Sequence, residues 1–351
     1  MRDNITVLIL IVVLVLNLTS TIFSEEVTMQ PESTGPNQSL REELRWLRAE
    51  AFDLEVSLAS RKSEKLSETT AAIYVITQEN IRRSGVTNIP ELLRMVPGLQ
   101  VARINANRWA VSSRGFNGTF ANKLLVLIDG RSVYTPLFSG VYWDVQNVLL
   151  EDVAQIEVIR GPGSTLWGAN VVNGIINIIT KTSKDTQGGL LTGGAGDKAE
   201  RAVGGFRYGG KIYKDAYYRL YTRYFNHDDF DISSSGDDAN GNWQISQGGF
   251  RIDWDLSAVD SLTLQGDIYD GDVNELARRS LRRQDKDVSG VNVLGRWKHT
   301  FQDTSDMVLR MYYDQTYRKE DVIFREIRDT FDLDFQHRFM AGSRNELIWG
   351  L

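Results

Sequence analysis

Between Tyr217 and Arg338 apolar and polar residues alternate one by one, and this two-residue period restricts the fold more than any other feature of the chain. In Tyr217–Phe225 (YYRLYTRYF), Tyr218, Leu220, Thr222 and Tyr224 share one face, and Arg219, Tyr221 and Arg223 share the other. Phe250, Ile252, Trp254 and Leu256 alternate with Arg251, Asp253 and Asp255. Val293 and Trp297 oppose Arg296 and Lys298, and Met307, Leu309, Met311 and Tyr313 oppose Arg310, Tyr312 and Asp314. Phe331, Leu333 and Phe335 oppose Asp332, Asp334 and Gln336. Such a period makes strands with one apolar and one polar face. A soluble antiparallel sandwich alternates in the same way. Two features favour a transmembrane β-barrel. The segments are about ten residues long, as tilted spanning strands are, and aromatics crowd the apolar face and strand ends, as interfacial girdles do.

The links between strands carry a second period. Asn226–Asn242 and Gly271–Gly290 are long and polar, and Tyr317–Arg328 is expected to be a longer link that is partly strand-like. Ser257–Ser261, Gln302–Ser305 and Met340–Arg344 are short. Short turns at one rim and long loops at the other mark an outer-membrane barrel. About nine strands fit between residue 188 and Leu351, giving an incomplete antiparallel barrel, and the alternation places Asp253, Asp255, Asp332, Asp334 and Glu346 on its lumen face.

Composition neither opposes nor proves this. Hydrophobic residues at 42% and charged residues at 25%, with a mean hydropathy of −0.29, suit a soluble domain and an alternating barrel equally. A net charge of −6 argues against general nucleic-acid binding, which needs a basic face. The chain has no cysteine, and its three histidines, His227, His299 and His337, have no metal-site spacing. No nucleophile–base pair or cofactor loop is visible, so neither an enzyme nor a cofactor is expected. Ile5–Leu18 is apolar but shorter than the ~20 residues of a spanning helix, and STIFSEE follows it. Residues 1–24 therefore read as a secretory signal, with a retained anchor as the alternative. Residues 25–69 form an N-terminal extension, in which Ser39 and Glu42 cap a short helix over 39–52.

Residues 70–182 change character to a compact α+β domain. Strands are expected over Ala72–Thr77, Leu124–Ile128, Ile156–Ile159 and Gly174–Thr180. Short helices are expected over Gln78–Ser84, ended by Gly85, and Ile89–Arg94, stopped before Pro97-Gly98; Val148–Val153 reads as helical or irregular. Asp129-Gly130 marks a turn. Gly163 and Gly168 have phosphate-loop spacing, but Ala169-Asn170 follows where Lys and Ser or Thr would be required, so these glycines read as turns.

Four blocks of this domain resemble, in order, the plug of TonB-dependent outer-membrane receptors. They are IYVITQENIRRSGVTNIPELLRMVPGLQV (Ile73–Val101), SSRGFNG (Ser112–Gly118), KLLVLIDGRSVY (Lys123–Tyr134) and IEVIRGPGSTLWGANVVNGIINIITK (Ile156–Lys181). The resemblance implies an α+β plug filling a transmembrane barrel of about 22 strands, of which this chain is an N-terminal fragment. It implies a location in the outer membrane and uptake of a scarce ligand, a ferric siderophore or cobalamin. It also implies energy delivered through TonB and its inner-membrane partners, which pull on an extended segment before the plug.

Individual residues extend this reading. Arg114, Arg131 and Arg160 lie beside or near glycines in a domain expected inside a polar lumen, where buried arginines need carboxylates. Arg114 and Arg160 are expected to lock plug to barrel, with Glu346 as a lumen-face acid, or else to tie plug loops together. The plug apices offer Arg103–Trp109, Phe116–Phe120 and Tyr134–Trp143. Within them Arg103, Trp109, Phe116, Phe120, Tyr134, Phe138, Tyr142 and Trp143 are candidate ligand contacts; the alternative is that these aromatics pack on the barrel wall. Asp53–Leu58 alternates, and its Leu54 and Val56 are candidates for adding an edge strand to TonB. Outer-membrane lipid is the expected partner of the apolar face. A passive porin or adhesin with a periplasmic domain is the competing function.

Overall fold

The computed structural model describes residues 54–56, 64–69, 71–115, 117–161, 167–168, 171–196, 201–228, 242–276, 283–302, 304–320 and 324–351. The expected signal, the expected helix over 39–52 and Phe116 lie outside them. Two compact units divide the chain: residues 1–55 with 65–68, and residues 56–64 with 69–351. In the first, the Leu66 N–H donates to the Leu54 carbonyl at 2.8 Å. Strands β1 (Glu55–Val56) and β2 (Glu64–Lys65) form a two-stranded sheet.

The second unit begins its core with β3 (Ile73–Thr77), which runs into α1 (Gln78–Ser84). Thr77 and Asn80 form a reciprocal capping box, and Gly85 ends the helix at φ 67°. Helix α2 (Ile89–Leu92) starts on the Asn88 side-chain cap with Pro90 in its first turn, and passes into a 3-10 turn over Leu93–Met95. A hairpin of β4 (Leu99–Arg103) and β5 (Trp109–Ser113) follows. The remaining strands are β6 (Leu124–Ile128), β7 (Arg131–Ser132), β8 (Val153–Arg160) and β9 (Gly174–Thr180). They build a sheet of order β3-β8-β9-β6-β7, in which β6 and β9 run parallel. Their continuous apolar runs are buried on both faces. Ile76, Ile156, Ile176 and Ile178 pack with Leu92 and Leu93 on one side, and Leu125, Leu127, Ile159 and Ile175 pack on the other.

The second half is an antiparallel sheet in which each strand pairs with the next. Its members are β10 (Gly188–Gly194), β11 (Ala202–Tyr213), β12 (Ala216–Asp228), β13 (Asn242–Asp255) and β14 (Asp260–Val273). After a small hairpin of β15 (Glu275–Leu276) and β16 (Arg283–Gln284) come β17 (Lys286–Gln302), β18 (Ser305–Glu320), β19 (Phe324–Ala341) and β20 (Asn345–Gly350). The nine long strands form one sheet whose edges are β10 and β20. The pleat sorts the alternation as expected: Arg219, Arg223, Arg251 and Arg318 are buried inward, while Val293, Met311, Ile327, Phe331 and Leu333 are exposed outward. Near the short-turn rim, aromatic and imidazole rings meet across strands. Phe301 lies 5.7 Å from His337, and the Trp349 Nε1–H donates to His337 Nδ1 at 3.0 Å.

Two expectations need correction. The strand-like part of Tyr317–Arg328 is larger than its reading as a longer link allows, because the β18–β19 ladder includes Arg318 opposite Glu326 and extends to Glu320 opposite Phe324. The β4–β5 hairpin was not among the expected strands; LQVAR and WAVSS are short and flanked by polar residues, so the signal is weak.

One glycine shows how tightly the halves join. A methyl group on Gly209 of β11 would stand 2.0 Å from the Thr186 carbonyl oxygen, whereas one on Gly204 would be 4.0 Å from its nearest neighbour. Gly209→Ala is expected to destabilise the fold by about 1–3 kcal/mol, the usual cost of overpacking. Gly204→Ala should leave the midpoint of urea unfolding, followed by tryptophan fluorescence, nearly unchanged.

Candidate functional site

Inward-facing guanidinium groups on the wall decide how the plug is held, since a buried arginine without acceptors is costly. Arg223 donates to the Val148 and Thr87 carbonyls, both at 2.7 Å. Arg219 donates to the Lys181 carbonyl at 2.9 Å. Arg207 pairs with Asp152, whose second oxygen lies 3.4 Å from Arg219 Nε. The Asp129-Gly130 turn, at φ 51° and 90°, presses against several strands. Its carboxylate accepts from Gln265 at 2.9 Å and from the Thr180 N–H at 2.8 Å, and its carbonyl accepts from Arg296. Arg131, next along the turn, donates to Asp314 of β18 at 3.3 Å. Where the plug leads into β10, Asp253 accepts from both the N–H and the hydroxyl of Ser183, at 2.7 and 2.9 Å. Lys184, just beyond, pairs with Asp255, which raises its pKa.

The polarity of most of these pairs is the reverse of that expected. Wall arginines reach plug acceptors, and Arg131 is the member of the plug trio that reaches a wall carboxylate. Arg114 donates to the Arg160 carbonyl at 3.3 Å, and Arg160 to the Pro97 carbonyl at 2.9 Å, and these bonds tie plug loops together. Gly98, at φ 84°, lets the Arg160 side chain lie against the chain there. Glu346 bonds Arg338 at 3.2 Å within the β19–β20 pair. It sits at the short-turn rim, opposite Met340.

At the other end, the plug loops and the tops of β17–β19 enclose an open recess of about 170 Å3. Trp109, Phe120, Phe138, Tyr142 and Trp143 all line it, so it gathers five of the candidate contacts. Its floor is ionic. Arg318 donates from one nitrogen to both oxygens of Asp144 at 2.8 Å, and Lys286 stands 3.5 Å from Glu320. The Arg318 guanidinium carbon also lies 3.9 Å from the centre of the Tyr142 ring. Burial raises the Tyr142 pKa, so this ring faces the cation as neutral phenol. Trp109 and Trp143 are deeper than expected. The Trp109 ring packs tilted against Trp243 of the wall, with centroids 5.4 Å apart, and its Nε1–H donates to Glu91 at 2.7 Å.

Two candidates fall outside the recess. Arg103 donates to the Asn105 and Ala106 carbonyls and braces the hairpin turn. Tyr134 contributes its carbonyl, which accepts from Arg328 at 2.6 Å. Sequence reading missed Arg318 and Lys286 as site residues. The signal was available in part, since Arg318 continues the inward register of Arg310, Tyr312 and Asp314. Val56 is buried and Leu54 half-buried, on or beside a strand already paired along one edge.

Residues 65–175 match the family described as TonB-dependent Receptor Plug Domain. Over 141 residues the chain is 34% identical to the vitamin B12 transporter BtuB of Vibrio cholerae, a match covering 40% of this chain and 23% of that protein. It is 30% identical over 151 residues to BtuB of Vibrio vulnificus, covering 42% and 24%. Among solved structures, the alcaligin outer-membrane receptor FauA of Bordetella pertussis superposes with a TM-score of 0.67 at 17% identity, covering 86% of this chain and 50% of that one. The ferric yersiniabactin uptake receptor FyuA of Yersinia pestis gives 0.64 at 17% identity, covering 80% and 47%. The matches thus span about a quarter of the curated relatives and half of the solved receptors.

Asp144→Ala should cost about 3–5 kcal/mol, because it strands the buried Arg318 charge. Adding Arg318→Ala should recover part of that loss. Urea unfolding of the four members of a double-mutant cycle measures the coupling.

Proposed function

We propose that this chain, whose residues 65–175 match the TonB-dependent receptor plug family, belongs to an outer-membrane receptor that takes up a scarce ligand, a ferric siderophore, by energised transport. The observation that carries the reading is an aromatic recess above a lumen closed by buried ion pairs. Passage past Arg318–Asp144, Arg207–Asp152 and the Asp129 turn requires breaking charge-assisted bonds between plug and wall. That requirement suits a receptor driven from the inner membrane and argues against a passive porin. Phe120, Phe138 and Tyr142 are the proposed ligand contacts, Leu54 and Val56 the proposed contacts for TonB, and Arg114, Arg160 and Glu346 further proposed locking groups. Cobalamin is the second reading, supported by the sequence likeness to vitamin B12 transporters.

Cells making the complete gene product should accumulate radioiron supplied as a siderophore complex, and a protonophore should abolish accumulation. Uptake that persists after the proton-motive force is collapsed would refute the energised mechanism. Accumulation of labelled cobalamin without iron would establish the second reading. Deletion of residues 53–58 should abolish uptake while leaving ligand binding at the cell surface intact; full uptake by the deletion would remove Leu54 and Val56 from the TonB contact.

A further inference from the structure

On the outer face of the wall, close to the short turns, five strands place one side chain each in a single cross-strand row. Asp260 of β14 stands opposite His299 of β17, and His299 opposite Met307 of β18. Met307 stands opposite His337 of β19, and His337 opposite Trp349 of β20. Two residues further from the turns, about 7 Å along each strand, the same face carries Leu262, Trp297, Leu309, Phe335 and Leu351. That row is wholly apolar, whereas the first holds a carboxylate and two imidazoles. The outer face therefore changes polarity within one step of the pleat.

Bond direction fixes the state of both imidazoles. A carboxylate only accepts, so His299 Nδ1, 2.7 Å from Asp260, carries a hydrogen. Asp260 is itself held by the Trp297 Nε1–H at 3.0 Å and the Ser257 hydroxyl at 2.9 Å. An indole N–H only donates, so His337 Nδ1 accepts from Trp349 and the hydrogen of His337 sits on Nε2. His337 thus keeps an N–H donor for a partner beyond the row. His299 keeps Nε2 for a proton, and the imidazolium so formed lies against a carboxylate. The titratable groups facing His299 are Asp260 from β14 and, beyond Met307 of β18, His337 from β19. Lys298, Asp306 and Arg338 alternate to the other side of the sheet. The Phe301 ring meets both imidazoles edge-on, at 4.5 and 5.7 Å.

We propose that this row is a phospholipid site of the periplasmic leaflet, in which His299 and His337 hold one lipid phosphate between them. Short turns mark the periplasmic rim of such a wall, and headgroups meet it where its outer face turns polar. Neighbouring strands lie about 4.8 Å apart, so β17 and β19, which flank β18, are separated by roughly 10 Å. A phosphate that accepts an N–H···O bond of about 2.8 Å on each side spans most of that distance. Met307, between the two histidines, has no donor of its own to offer. The imidazolium of His299 supplies the charge and Asp260 orients it, while the acyl chains lie along the apolar row above. The site belongs to the wall and its lipid, and it holds whichever cargo the lumen carries.

The test uses the complete gene product in a neutral detergent, with lipid retention followed by native mass spectrometry. The probes are dioleoyl phosphatidylglycerol, its phosphate-free counterpart dioleoylglycerol, and inorganic phosphate. The phospholipid should bind at least about tenfold more tightly than either, the scale of one charge-assisted hydrogen bond. His299→Phe and His337→Phe keep a ring at the rim, and each should weaken phospholipid retention by a similar factor. Thermal unfolding in lipid-free detergent should be unchanged by both. Binding favours protonated His299, so retention should rise as pH falls from 8 to 6. That rise should vanish in His299→Phe and persist in His337→Phe. Equal retention by parent and variants would overturn the inference, as would equal retention of dioleoylglycerol or a flat pH profile of the parent. Inorganic phosphate bound as tightly as the phospholipid would overturn it as a lipid site. The pH and dioleoylglycerol comparisons use the unaltered protein, so they decide the question even where a substitution prevents folding.

Discussion

The structure depends on one constraint: a guanidinium facing into a closed space must find acceptors. A barrel wall with a lipid-facing apolar side places its polar side inward, because the pleat allows no other choice. In β12, β13 and β18 this places Arg219, Arg223, Arg251 and Arg318 where bulk water is excluded. The plug supplies what water would have supplied, from the carbonyls of Thr87, Val148 and Lys181 and the carboxylates of Asp144 and Asp152. Many of these acceptors are backbone carbonyls on irregular segments. Loops that would be a liability in an apolar core are an asset here, since their unpaired carbonyls match the donors of the wall.

The same constraint explains the form of the plug. Its sheet buries apolar side chains on both faces, but its edges and loops face charge. The Asp129-Gly130 turn is the clearest case. A left-handed turn projects one carboxylate, one carbonyl and the following Arg131 in different directions, and each reaches a different strand. Few other backbone shapes present three polar groups within so few residues.

Much of this was legible in the sequence. The two-residue period assigned the inward and outward sides of β12, β13, β17, β18 and β19, because a strand has no other way to place alternate side chains. Gly85 and the Thr77 cap located α1, since those signals act within a few residues. Pairing across the plug–wall boundary was not legible. Arg114 and Arg160 sit beside glycines and suggested locking, yet they turn back onto plug carbonyls. Arg318 meets Asp144 across 174 positions of chain, and no local pattern encodes that register. The recess lay between these limits: its aromatics were visible as a cluster of residue types, while its ionic floor needed β17 and β18 in place.

The joint between plug and wall carries a kinetic consequence. Ser183 and Lys184, where the plug passes into β10, are bonded to Asp253 and Asp255 of β13. A plug whose other contacts are broken therefore remains moored, and its surfaces stay at high effective concentration relative to their partners on the wall. Reseating is then a unimolecular event, independent of how many copies the membrane holds.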